Sequence, residues 1–281
     1  MSRQASQKLA FAILTFLAIV VVVPIMLVVV YIVVQGIGAI NWEFLTTFPR
    51  NGMKEGGILP AVIGTVLLTF GTAIVSIPLA LGASIYLAEY ARDNLLTRVI
   101  RLAIINLAGI PSVVYGLFGL GLFVLFLRLG TSIVAGSLTL GLMTMPVVIS
   151  TAEEALLTVP QRFRVVSRSL GATRWQTIRE VVLPNALPGI LTGVILGLER
   201  AAGETAPILF TVAAFYLPQL PRSPLDQTMA LPYHLYVVST QVPGMPLDVQ
   251  YGTALVLLIL VLGMNVVATV LRSRFRRRRQ W

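Results

Sequence analysis

The sequence contains six apolar runs that are each long enough to cross a lipid bilayer. A bilayer core about 30 Å thick needs about 20 residues of helix. Only 11% of the residues are charged, whereas soluble domains carry roughly 25%. The sequence therefore predicts an all-α polytopic membrane protein with six transmembrane helices, and it excludes a soluble enzyme, a disordered chain and a fibrous repeat. The runs lie at about 9–34, 58–88, 99–127, 131–150, 185–214 and 251–271.

The first run has the basic start of a secretory signal, but its apolar stretch of about 26 residues is longer than the 7 to 15 residues of a signal core. We therefore expect residues 1–57 to hold a retained first transmembrane helix and an extracytoplasmic segment. Residues 58–271 are expected to form a core of five further helices, and residues 272–281 a basic tail.

The basic residues are distributed unevenly around these runs. With the N-terminus inside, sixteen Lys and Arg residues fall in inner segments and four in outer loops, which are Arg50, Lys54, Arg128 and Arg222. This excess predicts that both termini are cytoplasmic. It also accounts for most of the net charge of +10 without a nucleic-acid partner. The Arg-rich tail would suit nucleic acid, but directly after a span we expect it to contact anionic lipid head groups.

Several kinds of site are excluded by residue type. The chain has no cysteine and one histidine, so disulfides, thiolate metal sites and multi-histidine metal sites are not expected. We interpret the histidine, His234 in the outer loop at 215–250, as an ordinary loop side chain. No Gly-x-x-x-x-Gly-Lys-Ser/Thr motif is present, so the chain is not expected to bind a nucleotide phosphate, and no bound cofactor is expected. A membrane enzyme would need a catalytic cluster, and one histidine without any cysteine leaves few chemistries for one, so we do not expect an enzyme. The energy must come from another polypeptide or from an ion gradient.

The inner loop at 151–184 is predicted to be helical. Thr151 with Glu154, and Thr173 with Gln176, have the capping-box spacing that marks a helix start. Gly171 is predicted to end the helix that precedes the second start, since glycine readily adopts positive φ. A short helix, a glycine turn and a second helix would form a compact knob.

An apolar stripe is predicted along this knob at i, i+4, i+7 and i+11, formed by Val159, Phe163, Val166 and Leu170. Three arginines, at positions 162, 164 and 168, lie off the stripe. Another protein could grip such a surface, and the same pattern also suits an amphipathic helix lying on lipid. Periodicity alone leaves both interpretations open.

The second half of this loop resembles the coupling loop of ABC importer permeases, whose signature is Glu-Ala-Ala, three residues, Gly, nine residues and Ile-x-Leu-Pro. Gly171, nine residues and then Val181-Val182-Leu183-Pro184 match its second half, whereas Val165-Val166-Ser167 replace the Glu-Ala-Ala. The next span, with Leu187-Pro188-Gly189-Ile190-Leu191-Thr192-Gly193 and Ala201-Ala202-Gly203-Glu204-Thr205-Ala206-Pro207, is similar to phosphate ABC transporter permeases of the PstA type. The resemblance covers roughly residues 58–271.

This resemblance implies a type I ABC importer permease fold and a non-catalytic subunit that forms half of a phosphate pathway in the bacterial cytoplasmic (inner) membrane. It also implies three kinds of partner: a related permease, two copies of a cytoplasmic ABC ATPase that uses ATP and Mg²⁺, and an extracytoplasmic phosphate-binding protein. Arg164 or Arg168 is expected to replace part of the missing glutamate's role. The implied ATPase-coupling residues are Phe163, Arg164, Arg168, Leu170, Gly171, Ala172, Thr173 and Trp175.

Three glycines of the fifth run, Gly189, Gly193 and Gly197, are spaced four apart and share one helix face. Small residues at this spacing let another helix approach closely. The alternative is chance, since the chain has 23 glycines. We expect a packing face.

The fifth run also contains charged residues, which are costly in a membrane and usually paired or facing an aqueous path. Arg200 and Glu204 are one turn apart and can pair. The pair would serve as an ion-pair latch or gate, or Arg200 would contact a passing oxyanion directly. Our hypothesis is that Arg200 lines the path and Glu204 tunes it, with Glu199 and Thr205 in the same path or gate.

A self-sufficient secondary transporter or channel for an anion is the main alternative. It predicts acidic residues in several spans and an internal inverted repeat. The intramembrane charge here is nearly confined to one run, which favours the permease interpretation.

Overall fold

The computed structural model describes residues 3–277, which are mostly helical. Two strands of two residues each, β1 (Pro49–Arg50) and β2 (Glu55–Gly56), pair antiparallel. The helices are α1 Arg3–Gly36, α2 Trp42–Thr46, α3 Leu59–Ile85, α4 Leu95–Ala108, α5 Ser112–Gly119, α6 Ile133–Leu157, α7 Gln161–Ser169, α8 Arg174–Gln176, α9 Leu183–Gly203, α10 Ala206–Thr211, α11 Leu231–Thr240 and α12 Leu247–Arg277. Three π-helical turns extend them, Tyr86–Tyr90 after α3, Leu120–Phe126 after α5 and Thr177–Val182 between α8 and α9.

Five helical segments are long and apolar enough to cross a membrane. They are Phe11–Ala39, Leu59–Tyr90, Ile133–Leu157, Arg174–Gly203 and Leu247–Val267. A sixth is counted if the bent pair α4 and α5 is one span. Residues 272–277 of the Arg-rich tail form the end of α12, and residues 278–281 lie outside the described part of the chain.

The third predicted span is not a single straight helix. Its two halves, α4 and α5, meet at a bend of 102°. Pro111 lies at the bend, as the residue that precedes α5. Proline lacks the N–H that continues a helix, and it disfavours helical geometry in the residue before it. The run at 99–127 therefore contains two helices joined at a bend, and together they count as one of up to six spans.

The fifth predicted span is also interrupted. A continuous helical segment runs from Arg174 to Gly203. Glu204 then has an extended backbone, with φ −76° and ψ 134°, and α10 begins at Ala206. The apolar run at 185–214 therefore contains a helix, a break and a short second helix.

The predicted helix start at Thr151 is wrong. Thr151 lies inside α6, and its hydroxyl donates to the carbonyl of Val147 at 2.7 Å instead of capping a new helix. A threonine inside a helix commonly bonds the carbonyl four residues earlier. The predicted start at Thr173 is confirmed, because the two bonds of a capping box join Thr173 and Gln176.

The segment between α10 and α12 is more than an outer loop. It contains α11, and it packs on α3, where the backbone N–H of Leu231 donates to Thr65 Oγ1 at 2.8 Å. A Cβ at Gly64 would lie 1.9 Å from the carbonyl oxygen of Met229. His234 lies on α11 with 2% of its surface exposed, so its interpretation as a loop side chain was wrong.

The first helix packs on the last. Gly36 lies against the backbone of Tyr251, and the rings of Tyr31 and Tyr251 meet edge to face at 5.5 Å. The apolar side chains of α1 from Phe11 to Val34 are largely exposed on this chain. In a membrane protein such a surface is left for lipid or for another subunit.

Candidate functional site

The first candidate site is the α7–α8 segment, residues 158–176, which joins the long helices α6 and α9. Gly171 adopts φ +87°, and a Cβ there would meet no atom within 4 Å. The turn therefore needs glycine for its backbone conformation and not for space. Ala172 closes the turn by donating its N–H to the carbonyl of Ser167 at 3.2 Å. Thr173 then caps α8.

The predicted apolar stripe divides into a buried and an exposed part. Val159 is 3% exposed, and Phe163 packs beside it against the ends of α6 and α9. Val166 and Leu170 are 58% and 83% exposed. The single stripe was wrong because Val159 precedes α7 and Leu170 follows its last residue.

An exposed apolar surface remains on the outside of this segment. It consists of Val165, Val166, Leu170 and Trp175, and we call it the outer face of the α7–α8 segment. Arg168 is also exposed. The outer face is thus an apolar patch with a basic edge.

Arg164 turns inward, away from the outer face. Its Nε and Nη2 donate to the carboxylate of Glu89 at 3.0 and 2.6 Å, and it also donates to the carbonyls of Leu156 and Val159 at 2.9 and 2.6 Å. The two side chains are 7% and 4% exposed, for Arg164 and Glu89 respectively. Arg164 is therefore not available for a direct contact with another protein, and its expected place among the ATPase contacts is revised. Sequence analysis missed Glu89, since it is 75 residues from Arg164.

Arg174, on the other side of Gly171, also contacts the π-helical turn Tyr86–Tyr90, which carries Glu89. Its Nη2 donates to the backbone carbonyl of Glu89, and its guanidinium lies over the ring of Tyr90, 4.7 Å from the centroid. Between these contacts lies an open cavity of about 410 Å³, whose edge includes Thr158, Gln161 and Arg168.

The second candidate site is the break between α9 and α10. Nε of Arg200 donates to Oε1 of Glu204 at 3.3 Å, and the side chains are 37% and 18% exposed. Within residues 3–277, Nη1 and Nη2 of Arg200 form no hydrogen bond. The guanidinium therefore keeps donors free for a ligand or another subunit.

The second half of the bent span, α5, packs on α10 just after the break that follows Gly203. Gly116 of α5 faces the start of α10, and a Cβ at this position would lie 3.0 Å from the carbonyl oxygen of Ala206. Irregular backbone within a membrane is tolerated where it is buried in protein or lines a cavity. The break after Gly203 is thus a place where polar groups can face a path.

Glu199 and Thr205 occupy different surroundings from the Arg200–Glu204 pair. Oε1 of Glu199 is buried without a partner among the described residues. Glu199 lines an apolar cavity of about 400 Å³ between α9 and α12, together with Met264 and Val267. Thr205 precedes α10 and forms no side-chain cap.

The three glycines of α9 lie against α6. A Cβ at Gly189 would lie 2.5 Å from Cβ of Ala155, one at Gly193 would lie 2.7 Å from Cβ of Thr151, and one at Gly197 would lie 2.8 Å from a methyl group of Val148. These distances are shorter than real Cβ contacts, so the glycines set how closely α9 approaches α6. No group of three or more metal-ligating His, Cys, Asp or Glu side chains occurs within residues 3–277.

With this geometry in hand, comparison with known proteins gives the family. Residues 76–281 match the family described as binding-protein-dependent transport system inner membrane component. The chain belongs to this family. Its members are non-catalytic membrane components, and ATP hydrolysis belongs to partner ATPases. Permeases of the family generally bind no cofactor, and they generally work with a partner permease, an ATPase and a substrate-binding protein.

Relatives within the family cover most of the chain. A probable ABC transporter permease protein, YqgI of Bacillus subtilis, is 34% identical over 95% of this chain and 95% of its own length. The probable phosphate transport system permease protein PstA of Methanocaldococcus jannaschii is 33% identical over 94% and 92%. The phosphate transport system permease protein PstA 1 of Mycobacterium tuberculosis is 35% identical over 80% and 72%.

Solved structures of ABC transporters share the fold of this chain. A chain of the MetNI methionine ABC transporter, described as inward facing, matches with a TM-score of 0.64 and 19% identity, over 78% of this chain and 95% of that one. A chain of an amino acid ABC transporter with histidines matches with a TM-score of 0.53 and 16% identity, over 77% and 92%. The expected type I ABC importer permease fold is confirmed.

Proposed function

We propose that this chain is the transmembrane permease subunit of an ATP-driven inorganic phosphate importer in a bacterial cytoplasmic membrane. The observation that carries the proposal is sequence identity to two permeases named for phosphate transport, 33% over 94% of the chain and 35% over 80% of it. The chain forms half of the pathway and a related permease forms the other half. A phosphate-binding protein delivers the anion to the outer segments at 41–57 and 215–250.

The α7–α8 segment is the contact for the ATPase in this proposal. Its outer face offers exposed apolar side chains, of which Leu170 and Trp175 are the largest, and a basic edge at Arg168. Two ATPase subunits grip this segment and its counterpart on the partner permease. When the ATPase dimer closes on ATP and Mg²⁺, the two segments are drawn together and the spans rock from inward-open to outward-open. Phe163 and Ala172 support the segment from within, and Gly171 and Thr173 fix its turn.

Both termini and the α7–α8 segment are cytoplasmic in this proposal, as the distribution of basic residues favours. A cysteine introduced at the exposed Ser169 tests the orientation, since the chain has no other cysteine. A membrane-impermeant thiol reagent should label it only from the cytoplasmic side. Labelling from the outside would contradict the proposal.

Arg200 lines the anion path in this proposal, and Glu204 tunes its charge. The free donors of Arg200 at the break after α9 support this role, because a guanidinium binds tetrahedral oxyanions through several N–H groups. Glu199, which lines the cavity beside α12, and Thr205 remain proposed parts of the same gate, although they do not contact the Arg200–Glu204 pair through a hydrogen bond among the described residues. The glycines at 189, 193 and 197 hold α9 against α6.

The decisive experiment is uptake by proteoliposomes that hold this permease, its partner permease and the ATPase, with the binding protein outside. Labelled phosphate should accumulate only with internal ATP. Excess unlabelled phosphate should compete, and sulfate and molybdate should not. Uptake that sulfate or molybdate inhibits as strongly as phosphate would contradict the substrate. Uphill uptake by this chain alone would instead favour a self-sufficient transporter.

A further inference from the structure

The π-helical turn that ends α3 is held by both parts of the α7–α8 segment. Arg164, before Gly171, binds the carboxylate of Glu89. Arg174, after Gly171, binds the backbone carbonyl of the same residue and stacks on Tyr90. Among the described residues, Glu89 is therefore the one residue of this π-helical turn that is hydrogen-bonded to both sides of the segment.

The bonds of Arg164 join three helices at one point. Its guanidinium connects α7, on which it lies, to Glu89 of the α3 turn and to the carbonyls of Leu156 and Val159 at the end of α6. All three of its nitrogen atoms donate. Charge-assisted hydrogen bonds with this geometry fix both distance and direction.

The α7–α8 segment reaches α3 in a different way from α6 and α9. Its chain continues directly from α6 and directly into α9, whereas α3 is separated from it by more than 65 residues of sequence. Movement of the segment can reach α3 only through noncovalent contacts. Further along, α3 is packed against α6 at Gly71 and Gly141, where a Cβ would meet Ser137 and Val75 respectively.

Stability alone does not explain a buried ion pair at this joint. Apolar side chains of similar volume are often as stable as a buried pair, or more stable, because burying two charges is costly. A directional bond differs from apolar packing in that the two helices cannot slide past each other without breaking it. We propose that the buried Arg164–Glu89 pair transmits movement of the α7–α8 segment to α3, with Glu89 as a positioning residue for transport. The proposal rests on the function proposed above and adds the connection within the chain.

The test uses the complete complex of both permeases, the ATPase and the binding protein in proteoliposomes, with inorganic phosphate as the solute. Glu89→Gln removes the charge, and the double variant Glu89→Leu with Arg164→Met replaces the whole pair by apolar side chains. Both leave the outer face of the segment intact. Asp93→Asn is the matched control, since it removes a nearby Arg–Asp pair whose side chains are 69% and 78% exposed.

We expect both variants to copurify with the ATPase and to hydrolyse ATP, while phosphate moved per ATP hydrolysed falls roughly tenfold, the loss expected for a charge-assisted bond. The control should keep the wild-type ratio. If Glu89→Gln does not fold, the double variant still decides the question. The proposal would be overturned if the double variant moved as much phosphate per ATP hydrolysed as the wild type. It would also be overturned if phosphate transport and ATP hydrolysis fell by the same factor. A wild-type complex that moves no phosphate, or retains no ATPase, would instead overturn the proposed function.

Discussion

The Arg164–Glu89 pair and the Arg200–Glu204 pair join the same two side chains in opposite surroundings. The first is almost fully buried, and all three guanidinium nitrogens of its arginine donate hydrogen bonds. The second is a single 3.3 Å bond between partly exposed side chains, and its other two guanidinium nitrogens have no hydrogen-bond partner within residues 3–277. A pair whose bonds are all satisfied suits a fixed joint, whereas a pair with free donors suits a group that meets a ligand. In our proposals, the same residue types therefore form a fixed joint in one place and a group that meets the anion in the other.

The largest effect is expected when the buried pair loses one partner. Arg164→Ala leaves the carboxylate of Glu89 buried without its cation, and breaking a buried pair in this way costs about 3 to 5 kcal/mol. The measurement is the free energy of unfolding of the detergent-solubilised chain. Arg98→Ala, at an exposed pair on α4, is the control and should cost about 1 kcal/mol or less. Equal losses in the two variants would contradict the difference in surroundings.

His234 extends the comparison to a buried group that has no partner at all. Neither ring nitrogen is hydrogen-bonded within the described residues, and burial lowers the pKa of His234 from 6.5 to about 4. Its helix, α11, is not among the segments long enough to cross the membrane. The histidine is therefore neutral in the folded chain at neutral pH.

This depressed pKa predicts acid sensitivity. Below pH 6.5 the unfolded chain binds a proton at His234 that the folded chain excludes until the pH nears 4, so stability falls as the pH is lowered through this window. The loss at pH 4 relative to pH 7 is about 3 kcal/mol. Unfolding measurements across this range should show the loss, and His234→Gln, which cannot titrate, should reduce it. An identical pH profile in the two proteins would contradict the assignment.

The helix that carries Arg200, α9, is held against α6 through its glycines. Alanine normally stabilises a helix relative to glycine by roughly 0.5 to 1 kcal/mol. At Gly193 its Cβ would lie 2.7 Å from Cβ of Thr151, so Gly193→Ala should instead destabilise the chain, by roughly 1 to 3 kcal/mol. Gly203→Ala, on the same helix with no atom within 4 Å of its Cβ, should be neutral or stabilising. The two changes should therefore have opposite signs in a thermal unfolding assay, and equal signs would show that the close contact is unimportant.

Local sequence patterns predicted the parts of the fold that depend on neighbours along the chain. The positive φ of Gly171 and the capping box at Thr173 follow from residues within three positions of each other. The apolar runs predicted the spans for the same reason, since length and composition are local properties. Thr151 shows the weakness of such patterns, because its hydroxyl can bond forward as a cap or backward to Val147 inside a helix.

The parts that sequence could not predict depend on distant contacts. Nothing near Arg164 indicates that its partner is Glu89, and its spacing off an apolar stripe suggested an exposed side chain. His234 is buried because α11 folds back onto the core, which its Pro-rich surroundings do not reveal. Pro111 marks the position of the bend between α4 and α5, but proline alone does not give the bend, since a proline in a membrane helix is also compatible with a continuous span.

The smallest effect on stability is expected at the Arg200–Glu204 pair, where stability and transport should respond most differently. Arg200→Gln removes one weak, partly exposed bond and should change the free energy of unfolding by about 1 kcal/mol or less. Transport should respond differently, because the free donors of Arg200 are lost as well. If they contact the anion, phosphate uptake should fall roughly tenfold or more while the basal ATPase rate is kept.

Glu204→Gln separates the two roles left open for this pair. It removes the negative charge that pairs with Arg200 but keeps the guanidinium and its free donors. A direct contact with the anion predicts that this variant retains more uptake than Arg200→Gln, since phosphate can still be bound. A latch predicts equal losses in the two variants, because either change breaks the bond that holds it closed. Unchanged uptake in Arg200→Gln, at an unchanged ATPase rate, would remove Arg200 from the path, and the free donors would then be available to the partner subunit instead.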